Sequence, residues 1–242
     1  PPPVLVDLTH SLPPGDVEAA GHLLTAAAPA FPPLTVHLAV VDPGVGSERR
    51  ILALAAAGQL FVAPDNGLLT PFLEDGVAYA VEREDLFLAA PGATFHGRDR
   101  FAPVAAALLC GERIDELGPR LETPVRLPIP APRREDGLLV GRVAHVDRFG
   151  NLITDLPAEW LPDDPVAVRL GTHRVLHRVR FYDELPPGEP GFLVGSRGTL
   201  EISVAGENLA RRWRIGRGER VEVAPAADES AGAGTVSAND RS

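Results

Sequence analysis

The stretch TVHLAVVDPGVGSERRILALAAAGQLFVAPDNGLLT, residues 35–70, carries the reading of the fold. Residues 35–41 form a β-branched apolar run that predicts a strand, ending at the turn of Asp42, Pro43 and Gly44. Residues 51–56 and 60–63 read as a hairpin-like pair around Gly58 and Gln59, and residues 68–74 as a short helix. Outward from there, the run VLVDL at 4–8 predicts a buried strand. Residues 16–28 have apolar positions at helical spacing behind Asp16, a suitable N-cap, with a stop at Pro29. Residues 77–83 predict a strand, and 101–109 a helix packed on the sheet. Strands alternating with helices predict an α/β domain over residues 1–118. Sites in such sheets gather at the carboxyl ends of strands, and Asp42 stands at one.

From 119 to 137 the composition turns to proline and charge, which predicts a semi-rigid linker. Short strands at 138–146, 166–170, 173–179, 191–194 and 200–204 then predict a smaller all-β, barrel-like domain over 138–223. Residues 224–242 are small, polar and low in complexity, the composition of a disordered tail.

Of the 242 residues, 45% are hydrophobic and 23% charged, enough for one large or two small domains with real cores. No apolar run approaches the ~18 residues of a membrane span. The net charge of −10 makes nucleic acid a poor partner. The single cysteine, Cys110, excludes an intrachain disulfide and a Cys-cluster zinc site, and its helical setting predicts a buried apolar side chain. Every basic residue in the Lys+Arg count is arginine, which reads as codon bias. Methionine is absent, and the abrupt opening PPPVLVDLTH predicts that a segment precedes it; no signal peptide can be read.

Five segments carry polar chemistry. In VVDPGVGSERR, residues 40–50, Arg49 follows Asp42 closely enough to fold back onto its carboxylate, although a surface salt bridge in an ordinary turn reads the same way. In TFHGRDRFAPVAA, residues 94–106, His96 precedes a helix and is a candidate proton handler, or a solvated residue of a capping segment. Arg98 and Asp99 there suit capping and local ion pairing. In APDNGLLT, residues 63–70, backbone N–H groups of a turn offer a cradle for a polar ligand, with Asp65 and Asn66 of second rank. HVDRFGNLITD, residues 145–155, sets Asp147 and Asn151 about a tight turn between strand-like pieces; an Asn amide matches an adenine edge, and Asx-turn chemistry matches equally. In GSRGTLEISVAGENLA, residues 195–210, Ser196 and Arg197 suit a carboxylate, as would a plain β-turn. His22 and His37 fall within helix and strand patterns and read as structural. There is no GxGxxG behind a strand, no GxxxxGK[ST], HExxH or GxSxG, and Asp42, Asp65 and His96 match no metal-ligand spacing.

Taken together and in this order, the five segments, with VDLTHSLPPGDVEAA at 6–20, resemble the S-adenosylmethionine (SAM) hydroxide adenosyltransferases, relatives of the fluorinase and chlorinase. The resemblance spans residues 4 to about 223. It implies an α/β N-terminal domain, a C-terminal β-barrel-like domain and a cytoplasmic homotrimer with sites at subunit interfaces. SAM would be the substrate, with no separate cofactor or metal. It would be cleaved by water to adenosine and methionine. The family's Asp-Arg-His set falls on Asp42, Arg49 and His96. By the same resemblance Asp147 holds the methionine amino group, Asn151 the adenine, and Ser196 with Arg197 the methionine carboxylate; Phe181 or Tyr182 packs on adenine. Relatives open with a strand whose Asp binds the ribose hydroxyls, a stretch absent here, and Gly15 stands where they place an aromatic. A halide adenosyltransferase is the rival enzyme, disfavoured because a carboxylate repels halide. A non-catalytic SAM- or adenosine-binding module is the rival outside catalysis.

Overall fold

The computed structural model describes residues 2–89 and 94–226. The chain divides into two compact units, Pro1–Ile129 and Pro130–Ser242. The first holds β1 (Val36–Leu38), β2 (Ile51–Ala56), β3 (Gln59–Pro64) and β4 (Val77–Ala80) in the order β1-β3-β2-β4, with helices α1 (Val17–Ala27) and α2 (Ala102–Leu109). β1 runs parallel to β3, and the other pairs are antiparallel.

Strand β2 is apolar at every position because both faces of the sheet are covered. Successive side chains of a strand point to opposite faces. Leu52 and Leu54 therefore pack with Ala20 and Leu24 of α1, whereas Ile51 and Ala53 pack with Val104, Ala105 and Leu108 of α2. Each fully buried leucine contributes ~1.5–3 kcal/mol relative to exposure. The β2–β3 turn uses Ala57 and Gly58, both at positive φ (51° and 73°), the geometry that matches strand twist in a two-residue hairpin. Buried His37 is structural: its Nε2 lies 2.9 Å from Gln59 Oε1, and Gln59 Nε2 donates to the carbonyls of Ala28 and Phe31. The expected Asp16 N-cap is present, accepting from the Ala19 N–H at 3.0 Å.

Three expectations for this unit need correction. Residues 4–8 form no strand; Val4 and Leu5 are 88% and 85% exposed, because no neighbouring strand among the described residues gives them a ladder. Residues 68–74 hold only a 3₁₀ turn, Thr70–Phe72. Asn66 Oδ1 accepts the Leu68 N–H and the Thr70 hydroxyl donates to Gly67 O, so side chains take backbone groups a helix would use. Cys110 is exposed: it is the C-cap of α2, beyond the face that buries Val104, Ala105 and Leu108.

The second unit contains β5 (Arg133–Glu135), β6 (Leu138–Val146), β7 (Leu152–Pro157), β8 (Val166–Leu170), β9 (His173–Val175), β10 (His177–Arg178), β11 (Pro190–Val194), β12 (Thr199–Val204), the short helix α3 (Leu209–Trp213) and β13 (Arg220–Pro225). Its nine-stranded sheet runs β10-β11-β12-β7-β6-β13-β8-β9, with β5 on β6, and curls into a nearly closed barrel around Val143, Leu152, Val168, Phe192 and Ile202. The single strand expected at 173–179 breaks at Leu176, because β9 pairs with β8 whereas β10 pairs with β11 at the other end of the sheet. β13 was legible only as tail and flank, yet it sits between β6 and β8. Residues 227–242 of the expected disordered tail lie outside the described residues.

The segment expected as a linker, 119–137, is well bonded in two places. The Val125 N–H donates to Asp65 at 2.7 Å and the Leu127 N–H to the Thr70 hydroxyl at 2.8 Å, while Arg133–Glu135 pairs with β6. No helix among the described residues is long and apolar enough to cross a membrane.

Candidate functional site

Asp42 stands just beyond β1, on a turn closed by the Val45 N–H to Asp42 O and by Ser47, whose N–H and hydroxyl both reach Gly44 O. The turn brings Arg49 back over the carboxylate. Arg49 Nε donates to both Asp42 oxygens, at 2.9 and 2.7 Å, and Nη2 also pairs with Oδ2. This is no surface salt bridge. The Arg49 and Asp42 side chains are only 10% and 5% exposed, and the guanidinium lies 4.9 Å from the centre of the buried Phe101 ring.

His96 completes the group. It precedes a wide π-type turn, Gly97–Phe101, that leads into α2, and its ring is buried rather than solvated. Arg49 Nη2 lies 3.0 Å from His96 Nδ1. A guanidinium has no acceptor, so Nδ1 receives this bond and the proton of the neutral ring belongs on Nε2. Burial holds the His96 pKa below its ordinary 6.5, aided by the charges of Arg100 and Arg49 and opposed by Asp42 and Asp99. Nε2 is buried and has no partner among the described residues. One unit thus presents a carboxylate, a fixed cation and an unspent imidazole N–H. Beside them runs a cleft of about 550 Å³, lined by Thr9, His10, Leu12, Pro13, Pro14 and Gly15 on one side and Val40, Val41, Asp42 and Pro43 on the other. Gly15, at φ +76°, lets the chain turn there without a side chain.

The second-rank candidates are structural. Asp65 is held by Arg50 and the Val125 N–H, and Asn66 Nδ2 donates to Val41 O, which steadies the segment between β1 and Asp42. Asp99 pairs with Arg98 at 2.5 Å, as read from the sequence. No group of three His, Cys, Asp or Glu side chains among the described residues is arranged to hold a metal ion.

In the second unit residues 145–155 take the Asx-turn geometry. Asp147 Oδ1 accepts the Phe149 and Asn151 N–H groups at 2.8 and 2.9 Å, and Oδ2 accepts Asn151 Nδ2 at 2.9 Å. The turn docks on α3: Gly150, at φ +91°, lies so close to Asn208 that a Cβ would meet its Cγ at 2.2 Å, so only glycine fits. Phe181 is 62% exposed and Tyr182 48%; the Tyr182 hydroxyl donates to Glu201 Oε1 at 2.5 Å. Ser196 and Arg197 lie on the exposed turn between β11 and β12.

Residues 1–118 match the SAM hydroxide adenosyltransferase N-terminal domain and residues 141–222 the C-terminal domain of the same family. The chain belongs to the SAM hydroxide adenosyltransferase family. It is similar to the (R)-S-adenosyl-L-methionine hydrolase of Salinispora tropica, 41% identical over 225 residues that cover 90% of this chain and 85% of the relative. The hydrolase of the same name from Thermus thermophilus is 44% identical over 219 residues, 84% and 81% of the two chains. A fluorinase from an Actinoplanes species is more distant, at 28% identity over 92% of this chain and 88% of its own. A crystal structure of an uncharacterized conserved protein from Thermotoga maritima superposes with a TM-score of 0.82 at 36% identity, covering 90% and 88% of the chains. Within this adenosyltransferase chain, sequence reasoning missed Arg100 and Phe101, which tune and wall the Asp42 group, and Glu201. The signal for Glu201 was available: a carboxylate inside the apolar run TLEISV.

Proposed function

We propose that this chain hydrolyses SAM to adenosine and L-methionine, with the carboxylate of Asp42 receiving the proton of the attacking water. The observation that carries the chemistry is the Arg49 bond to His96 Nδ1, which occupies the one imidazole nitrogen able to accept a proton. His96 then offers Nε2–H to orient the water oxygen, and Arg49 fixes the carboxylate that takes the proton. The new bond joins oxygen to C5′ of the ribose as the C5′–S bond breaks. Its electron pair stays on sulfur, methionine leaves as a neutral thioether, and no general acid is required. A carboxylate beside C5′ repels halide, which favours water over the fluorinase reaction.

Asp147, Asn151, Phe181, Tyr182, Ser196 and Arg197 are proposed to hold the rest of SAM. SAM is proposed as substrate without a further cofactor or metal, in a cytoplasmic enzyme. Its two domains are proposed at 1–118 and 138–223, with β5 of the intervening segment added to the second, and neither nucleic acid nor a membrane is proposed as a partner. Purified protein with chelator present is expected to convert SAM to equal amounts of adenosine and methionine, followed by chromatography. Adenosine formation that stops with chelator and returns with a divalent ion overturns the metal-free reading. 5′-Chloroadenosine formed in place of adenosine at physiological chloride overturns the choice of water.

The same assay reports on His96. A protonated ring would set an N–H against Arg49, so kcat/KM should fall with falling pH through the lowered His96 pKa, below 6.5. Removing the positive charge in Arg100→Gln raises that pKa, and the acid limb should move upward toward 6.5.

The assembly is proposed as a homotrimer, following the resemblance, with each substrate held by residues of two subunits. The Asp42 group and the Asp147 group belong to separate units of the chain, so a test can alter them independently. Mixing inactive Asp42→Ala and Asn151→Ala chains should restore part of the activity after subunit exchange, because some shared sites then pair two intact halves. No recovery, or an active monomer in sedimentation, defeats shared sites.

A further inference from the structure

We propose that Glu201 is a positioning residue for the amino-acid end of the substrate: its buried carboxylate fixes Tyr182 and the turn that carries Ser196 and Arg197, which leaves Phe181 as the aromatic for adenine. The inference rests on the SAM-cleaving reading above. Along β12, Leu200, Ile202 and Val204 point into the barrel core, so alternation turns Glu201 and Ser203 to the opposite face. Both are nonetheless buried, Glu201 at 5% and Ser203 at 0% exposure. A carboxylate withdrawn from water is costly unless hydrogen bonds replace the lost solvent.

Glu201 has those bonds, and its contacts include two of the proposed ligand elements, Tyr182 and the turn that begins at Gly195. Oε1 accepts the Tyr182 hydroxyl at 2.5 Å and the Ser203 hydroxyl at 3.2 Å. Oε2 lies against Gly195, where an added Cβ would stand 2.7 Å away, so the start of the turn is built around the carboxylate. The turn itself is closed by the Gly195 N–H to Thr199 O at 2.9 Å and the Gly198 N–H to Gly195 O at 3.0 Å. Ser196 and Arg197 occupy its tip. The charge of Glu201 also acts on Arg197: desolvation draws the guanidinium pKa down, and Glu201 opposes it. Burial, together with the bond to Glu201, pushes the Tyr182 phenol well up, so it remains a hydrogen-bond donor. A leucine at 201 would bury as well, but would hold neither the phenol nor the turn.

The test compares inhibition by the two products in the SAM assay. Glu201→Gln keeps the shape and removes the charge, and it should raise the inhibition constant of L-methionine about 10-fold while that of adenosine stays within twofold. Tyr182→Phe keeps the ring and removes only the bond to Glu201, and should raise the methionine constant by about threefold, again without adenosine. The two changes combined should raise it by less than the product of the single effects, because they act through one contact. Should Glu201→Gln not fold, Tyr182→Phe carries the same comparison, since its side chain is half exposed. Methionine and adenosine constants that rise together mark a merely structural residue and overturn the proposal, as does an unshifted methionine constant. A wild-type chain that releases no adenosine overturns the SAM reading beneath it, a result distinct from an active enzyme indifferent to Glu201.

Discussion

Asp42→Ala is expected to lose ~100- to 10,000-fold in turnover, the usual cost of removing one proton-handling group, while SAM still binds in calorimetry. The reasoning follows from where the carboxylate sits. It borders the cleft beside Pro43 and Gly15, but its own bonds go to Arg49 rather than outward, so its task is to be held ready for water. Removing it leaves Arg49 bonded to His96 and close to Phe101, which limits collapse of the site. Asp42→Asn preserves the shape and separates the two effects: it should lose stability through the unpaired Arg49 charge, yet still fold, bind SAM and remain as inactive as the alanine variant. Binding that disappears together with turnover in both variants would make Asp42 a substrate-binding residue instead.

Arg49→Ala is expected to be the most destabilising single change in the site, by ~3–5 kcal/mol, because it strands a carboxylate withdrawn from water without its counter-charge. Asp42 is 5% exposed at its side chain and accepts two bonds from Nε alone, so little solvent can replace what is lost. Turnover should fall with stability, since His96 Nδ1 loses the donor that fixes the tautomer. Arg49→Lys should rescue only part of this. An ammonium is a point charge, whereas the planar fork spans the carboxylate and the imidazole at once and lies over Phe101. Chemical denaturation of the three proteins measures the stability cost. An Arg49→Ala protein within about 1 kcal/mol of wild type would return the pair to the class of surface salt bridges.

The paired reading of Asp42 and Arg49 was legible because the six intervening residues of Pro-Gly-rich turn leave few other ways to close, and the ion pair is local in sequence. The same holds for the Asp16 cap, the β2–β3 hairpin and the barrel strands β6, β8, β11 and β12, whose boundaries follow from side-chain periodicity and turn residues a few positions apart. The failures have one physical origin. Residues 4–8 have strand composition, but a strand exists only through its neighbour, and composition does not supply one. Residues 173–179 have one continuous pattern, but two different partner strands divide it.

Order and composition alone determined the α/β and β-rich halves, the family resemblance and the identity of the candidate residues. Only the tertiary structure decided which nitrogen of His96 is spent, because Arg49 and His96 are 47 residues apart and meet by packing against Phe101 and α2. The burial that turns the Asp42 pair from a surface contact into a site was likewise decided by packing. So was the partnership of Glu201 with Tyr182 and Gly195, which depends on one strand's alternation meeting a loop from elsewhere in the barrel. Local sequence encodes turns, caps and periodicity; desolvation and the direction of a lone pair belong to contacts between segments far apart in the chain.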